Sequence, residues 1–323
     1  MLSFNQFVTE ASIRQGLPHI SSTTTEKGNA TPSLSTEDFE KTTKGGKIHL
    51  GNITHKTDGQ TFKFGHDEQG FYTQHSGSGD EKIRTAQGHI DRAKRRAQET
   101  GKEYSPVAPQ AMAKFHEALH KNTALQQHLA NEYRRTGKEV TVKGEAFNKA
   151  LAVPSDTKKG EVKFVHTSYD PKRMGKQGMF VIHSQLPGNE HHDIEHFKKH
   201  LSDSNINFSG DVAHNKPTHV DVSHEVGEYG KLNHGLINSR TTPTNKASKL
   251  AEVEKFNNIK KKVHEKVETH VNNLGIDMHP WGSGSEGLVV HPTKANPEAT
   301  RFKVVSKEFK QAKAAGGRFG EDK

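Results

Sequence analysis

The sequence predicts an α+β protein, an antiparallel sheet core interrupted by two largely helical insertions. Two observations predict it. Short apolar runs with period-two alternation recur along most of the chain. Two long stretches, about 81–135 and 188–275, break that pattern with helical spacing or a polar, His-rich composition. The 323 residues are only 30% hydrophobic, with a mean hydropathy of −0.90. That is lean, but the strand-length apolar runs set the chain apart from a disordered one.

In chain order, residues 1–44 read as an N-terminal arm and linker. A short amphipathic start (Leu2, Phe4, Phe7, Val8, Ile13) leads into a Ser/Thr/Gly-rich stretch at 21–43. One strand is expected over residues 48–55. Phe62-Lys63-Phe64 and Gly70-Phe71-Tyr72 flank Asp67-Glu68-Gln69-Gly70, the signature of a hairpin turn. Residues 81–135 form a basic helical insertion, broken at Ser105-Pro106 and Ala108-Pro109. Strands follow at 139–147, 161–166 and 178–184. The second insertion, 188–275, ends in a helix over 246–272, where Leu250, Val253, Phe256, Ile259, Val263, Val267 and Val271 keep helical spacing. Last strands are expected at 287–291 and 301–305, closing a domain that spans 45–315 and leaves 316–323 as a tail.

The net charge of +9 and a pI near 9.4 favour polyanions through counterion release, so nucleic acid is the first partner expected. The absence of cysteine excludes disulfide and thiol chemistry and fits an intracellular protein. No run of 18 apolar residues is present, so no membrane partner is expected. The start lacks the basic and apolar regions of a secretion signal, and a cytoplasmic location is expected.

Four separated segments make chemical sense together. Lys56-Thr57-Asp58-Gly59 follows the strand of residues 48–55. A lysine is a nucleophile only as the free amine, and a glycine lets backbone approach a nucleotide closely. Val142-Lys143-Gly144-Glu145 ends a strand, and Glu286 leads into Gly287-Leu288-Val289-Val290. In Arg301-Phe302-Lys303, period two sends both cations to one face around a buried phenylalanine, a means of clamping phosphate. Two carboxylates among these segments suit Mg²⁺, which takes oxygen ligands and keeps waters.

This order resembles motifs I, III, IV and V of the covalent nucleotidyltransferases: the DNA ligases, RNA ligases and mRNA capping enzymes. It looks closest to phage-encoded ligase-like members, which would place the chain in a host cytoplasm. The resemblance covers roughly residues 45–310 and implies the nucleotidyltransferase fold with ATP and Mg²⁺ as cofactors. It implies that Lys56 is adenylylated, with Asp58 positioning the lysine and contacting ribose. Glu145 would contact ribose or a metal-bound water. Glu286 would support the metal and the lysine, so Glu145 and Glu286 are the implied metal residues. Lys303, with Arg301, would neutralise the α-phosphate. Backbone of Thr54 and His55 would read the purine edge and Gly59 would admit the nucleotide; Phe180 is the candidate to stack on the base, or else an ordinary core phenylalanine on its strand.

There are departures from the family pattern. Thr61 stands where Arg or Asn is common, and Gln74-His75-Ser76-Gly77 would be a motif Ia without arginine. The 20 residues after Lys303 leave no room for a C-terminal OB-fold, so RNA ends are slightly favoured over DNA ends. Substrate grip would then come from the insertions, where Arg92, Lys94, Arg95 and Arg96 could track a phosphate backbone, or from a protein partner. The alternative is a catalytically degenerate nucleotide- or nucleic-acid-binding protein on the same fold.

Two histidine patterns compete. His116-Glu117-Ala118-Leu119-His120 matches the zincin pattern of a zinc metalloprotease, with Glu132 the nearest further ligand. His191, His192, His196 and His200 fall at near-helical spacing. For both, a polar helix face is the preferred reading. Lys260-Lys261-Lys262 reads as a charged face, and Trp281 as packing beneath the loop before Glu286.

Overall fold

The computed structural model describes residues 18–21, 33–57, 59–75, 81–154, 159–160, 162–164, 167–186, 205–239, 245–277, 280–281 and 287–305. In chain order the elements are α1 (Thr36–Thr42), β1 (Lys47–His49), β2 (Ile53–Lys56), β3 (Gln60–Asp67), β4 (Gly70–His75), α2 (Ala86–Thr100), α3 (Val107–His120) and α4 (Thr123–Thr136). There follow β5 (Val140–Asn148), β6 (Val153–Pro154), β7 (Val162–Phe164), β8 (Thr167–Tyr169), β9 (Gly178–Leu186), β10 (Ile206–Gly210), β11 (Val212–His214) and β12 (His219–Asp221). The last are α5 (Ser223–Tyr229), α6 (His234–Asn238), α7 (Lys246–Asn273), β13 (Gly287–Val290) and β14 (Phe302–Val305). The protein is α+β with antiparallel sheets, as expected, except that one sheet is mixed: β10 runs parallel to β9.

Where one domain over 45–315 is expected from sequence, the chain divides into two compact units. Unit 1 comprises Met1–Lys56, Val212–Met278 and Gly287–Ala315; unit 2 comprises Thr57–Asp211, His279–Glu286 and Gly316–Lys323.

Unit 1 holds a four-stranded sheet, β11-β2-β13-β14, and the pair β1-β12. The expected single strand over 48–55 is therefore two, in different sheets, separated at Leu50–Asn52. The helix at 246–273 forms where its spacing places it, and Phe256, Ile259, Val263, Val267 and Val271 are buried on one stripe. Leu250, counted with that stripe, is 59% exposed. This helix is no appendage: its stripe joins Ile48, Ile53, Leu288, Val290, Phe302 and Val304 in one core. Over its described part the second stretch, 188–275, is largely helical as expected, in α5, α6 and α7, but it also supplies β10, β11 and β12, which pair into three different sheets.

The linker reading of residues 21–43 needs correction over 33–43, while 22–32 lie outside the described residues. Ser35 caps α1, accepting from the Asp38 N–H at 3.1 Å, and the helix drives Phe39 into the core edge-on to Phe256. A stretch of Ser and Thr conceals the few apolar residues that anchor it. Lys260 is likewise buried, its ammonium 2.9 Å from Ser33 Oγ and 3.2 Å from the Leu34 carbonyl, and burial lowers its pKa to about 8. The charged-face reading fails at this residue because Phe256 lies one turn before it and Val263 three residues after.

Unit 2 is built on the five-stranded sheet β10-β9-β5-β3-β4. The first insertion is helical as expected. Thr85 caps α2 and Asn122 caps α4, and left-handed Gly101 and Gly137 end them. Helices α3 and α4 bury Met112, Phe115, Leu119, Leu125 and Leu129 on the sheet face that carries Phe62, Phe64, Val142 and Phe180. The β3–β4 hairpin turns at Asp67–Gly70 as expected, Gly70 supplying the positive φ of 98° and the Gln69 N–H donating to Asp67 Oδ1. A smaller cluster gathers Phe147, Tyr169, Met174, Met179, Val181 and Trp281, with Trp281 Nε1–H donating to Ser209 Oγ at 3.0 Å.

Asp67 also anchors a charge network. Arg84 donates to both its oxygens at 2.7 Å, and Lys82 donates at 2.9 Å while also reaching Glu139. Burial opposes the carboxylate charge, but these donors win and hold Asp67 well below the usual carboxylate range. A folded pKa below the unfolded one stabilises above about pH 4 and is lost as pH falls below it. Asp67→Asn is expected to destabilise the protein by roughly 1–3 kcal/mol at pH 7, with the difference from wild type shrinking as pH falls below 4. Urea midpoints of both proteins at pH 7 and pH 3 check this.

Among the described residues, no helix is long and apolar enough to cross a membrane.

Candidate functional site

The residues singled out by sequence fall into two sets, one in each unit. In unit 1, β2 and β14 flank β13. Lys56 stands opposite Gly287, Thr54 opposite Val289, and Val289 opposite Lys303. Paired residues on neighbouring strands share a face, so Thr54, Lys56 and Lys303 lie together on one side of the sheet. Ile53, Leu288, Val290, Phe302 and Val304 take the other side and form the core. Strand spacing and rise put the Lys56 and Lys303 Cα atoms roughly 12 Å apart, within reach of one phosphate through two extended lysine side chains. Phe302 is buried between the exposed Arg301 and the half-buried Lys303, as the alternation requires.

Thr54 pairs with Val212 on one side and Val289 on the other, and its hydroxyl lies 2.9 Å from His291 Nε2. His55 is buried and pairs with Leu288 on the core side. These ties compete with the purine-edge role implied for the backbone of both residues.

In unit 2, Glu145 on β5 faces the turn that follows Lys56 along the chain. Its Oε2 accepts from the Thr57 hydroxyl and, at 2.8 Å, from the Gly59 N–H. His183 Nε2 lies 3.5 Å from the same hydroxyl. Gly59 lies against the Phe147 ring, where an added Cβ would come within 2.7 Å of Cζ. The described reason for glycine here is thus an aromatic ring beneath it. Strand alternation places Glu145, Lys143, Thr61 and Lys63 on the sheet face opposite the aromatic core. Thr57, Lys63 and His183 received no role from sequence, because which residues share a face with Glu145 is set by the pairing of β3 and β9 with β5.

Phe180 is not available to stack on a base. It is 0% exposed, its ring edge-to-face on Phe64 at 5.2 Å and on Phe62 at 6.1 Å, and it covers Gly144. Of the two readings, the core phenylalanine is the one the sheet selects: Phe180 pairs with Ala146 and so faces the helices, whereas Met179 and Val181 face the other way. Asp58 and Glu286 lie outside the described residues, as do His191, His192, His196 and His200. Glu145 remains as an oxygen donor of the kind Mg²⁺ takes.

The zincin pattern is on α3 as expected, but it serves packing. His116 is buried, with Nδ1 2.7 Å from Thr73 Oγ1, and its ring stacks on that of His120 with centroids 6.1 Å apart. Glu117 is exposed and paired with Lys121, and Glu132 with Arg135. Among the described residues no three His, Asp or Glu side chains gather as metal ligands.

No protein-family model, curated protein or solved structure matches this chain.

Proposed function

We propose that the protein is an ATP-dependent nucleotidyltransferase of the polynucleotide-ligase type that carries AMP on Lys56. The observation that carries this reading is in unit 1. Residues 53–56 pair with 287–290, more than 230 residues away in sequence, and 302–305 pairs on the far side of 287–290, with Lys56 and Lys303 on one face. In this reading the Lys56 amine, having lost a proton, attacks the α-phosphorus of ATP. An N–P bond forms, the α–β anhydride bond breaks, and pyrophosphate departs. Lys303 and Arg301 neutralise the charge developing on the α-phosphate. Glu145 acts as a positioning residue, holding Thr57 and Gly59, which follow Lys56 in the chain. Mg²⁺ would neutralise the phosphate oxygens, with Glu145 and Glu286 as the residues of suitable chemistry. An oxygen of a 5′-phosphate end then attacks the same phosphorus, frees Lys56 and yields an adenylylated end; RNA is favoured slightly over DNA as acceptor.

The burial of Phe180 supports a second reading, a degenerate nucleotide- or nucleic-acid-binding protein on this scaffold. Incubation with α-labelled ATP and Mg²⁺ separates the two. Label that survives denaturation, is absent in Lys56→Ala and moves to a 5′-phosphorylated oligoribonucleotide is the expected result. Wild-type protein that forms no adduct would leave only the binding reading.

A further inference from the structure

Unit 2 contains a cavity of about 260 Å³ that none of the roles above uses. It lies between α2, the 101–106 connection and the start of α3. His89, Arg92 and Arg96 follow one another on one face of α2 at helical spacing, and all three line it. Lys102 and Tyr104 come from the connection, and His75 from the end of β4. Among the lining residues, Arg92, Arg96 and Lys102 stand against a single carboxylate, Glu103. Arg92 is oriented by Glu81, which accepts from its Nε–H at 2.7 Å and also holds Arg95.

The imidazoles add a second, independent observation. His89 is 3% exposed and its Nε2 lies 2.9 Å from Thr73 Oγ1, yet its buried Nδ1 meets no hydrogen-bond partner among the described residues. Of the residues with such a buried atom among those described, His89 is the one that lines this cavity, where a further polar group could meet it. Burial, with Arg92 and Arg96 nearby, keeps His75 neutral at pH 7. The wall therefore offers two guanidinium groups and an ammonium to an anion, neutral ring nitrogens to hydroxyls, and an aromatic face to a ring. The volume is just below that of ordinary small-molecule sites and suits a group no larger than a mononucleotide.

We propose that this cavity binds a sugar-linked phosphomonoester, presented by a free mononucleotide or by the 5′-phosphorylated end of a nucleic acid. Arg92 and Arg96 take the phosphate, with Lys102 at the mouth, while His89 and Tyr104 face the sugar and base. Binding here does not require adenylylation of Lys56, so the test is run in Lys56→Ala protein, which keeps covalent chemistry out of the measurement.

Titrations compare a labelled oligoribonucleotide bearing a 5′-phosphate, the same oligomer with a 5′-hydroxyl, and AMP as competitor. Arg96→Glu and Lys102→Glu are suitable variants, because both residues are exposed and neither contributes to a core. The 5′-phosphorylated oligomer is expected to bind about tenfold or more tightly than its 5′-hydroxyl counterpart, and Arg96→Glu to abolish that preference. Displacement by AMP at concentrations comparable to the oligomer identifies a free mononucleotide as the ligand; displacement only at far higher AMP identifies a nucleic-acid end. Equal binding of the two oligomers with no binding of AMP, or a preference that both variants retain, overturns the proposal. Adduct formation by wild-type protein is scored separately, so failure of this site and failure of the Lys56 reading are told apart.

Discussion

On the proposed chemistry, in which Lys56 carries AMP, Glu145→Ala is expected to slow formation of that adduct about 100-fold in protein that remains folded. Glu145 holds two groups that follow Lys56 closely in the chain, the Thr57 hydroxyl and the Gly59 N–H. Removing the carboxylate withdraws the acceptor from both, and a partly buried donor that loses its acceptor costs about 1–3 kcal/mol. Phe147 beneath Gly59 limits the ways in which the turn can resettle. The position of the chain just after Lys56 is then no longer held, and displacements near 1 Å at a reacting group slow chemistry about 100-fold. Glu145→Gln retains an oxygen acceptor without the charge, so a loss of roughly tenfold is expected. Single-turnover labelling at saturating ATP, beside urea unfolding of each variant, measures both effects. Rates in Glu145→Ala equal to wild type, or rates that fall only in step with the folded fraction, would remove Glu145 from the positioning role.

How much of this was legible from the chain depends on the range of the interaction. Alternation and helical spacing are local, and they located β5, β9, β13, β14 and α7 to within a few residues. The same parity showed Phe302 buried between Arg301 and Lys303. The face on which a given parity lies is not local, because it depends on which strand or helix comes to cover it. That is why the sequence leaves Phe180 open between a base-stacking and a core residue, and the helices that bring it against Phe62, Phe64 and Phe115 decide for the core. Lys260 was within reach of local reasoning, since it falls on the apolar stripe of α7 between Phe256 and Val263; reading it as one of three lysines hid that. The splitting of residues 48–55 into β1 and β2 was not legible, because it is decided by pairing with β12 and β13, more than 160 residues away. The Asp67–Arg84–Lys82–Glu139 network had no signal of its own, as its members are ordinary surface residue types whose meeting is tertiary.

The histidines of unit 2 carry the other large expected effect, a loss of stability on mild acidification. His89 and His116 both contact Thr73 Oγ1, and His75 stacks on His89 with ring centroids 5.5 Å apart. Burial is the main reason that all three resist protonation. It is reinforced at His75 by Arg92 and Arg96, at His89 by its histidine neighbours and Arg92, and at His116 by His120, with Glu117 opposing weakly. Their pKa values fall to about 4 for His75, about 3 for His89 and about 4 for His116. The unfolded chain protonates its histidines near pH 6.5, so below that pH it binds more protons than the folded one. Stability is therefore full above about pH 6.5 and declines as pH falls toward 4, by about 1.4 kcal/mol per pH unit for each such histidine. This window lies above that of Asp67, whose contribution is lost only below pH 4. Trp281, the single tryptophan, is buried within unit 2, and its fluorescence follows the unfolding of that unit. Urea midpoints are expected to fall steadily between pH 6.5 and pH 4.5 in the wild type. In His89→Asn the slope should be shallower by the equivalent of one proton, even though the variant is less stable at pH 7. A wild-type midpoint that stays constant over this range would show that the three imidazoles are not held neutral, because protonation of buried histidines cannot be both disfavoured in the fold and without effect on its stability.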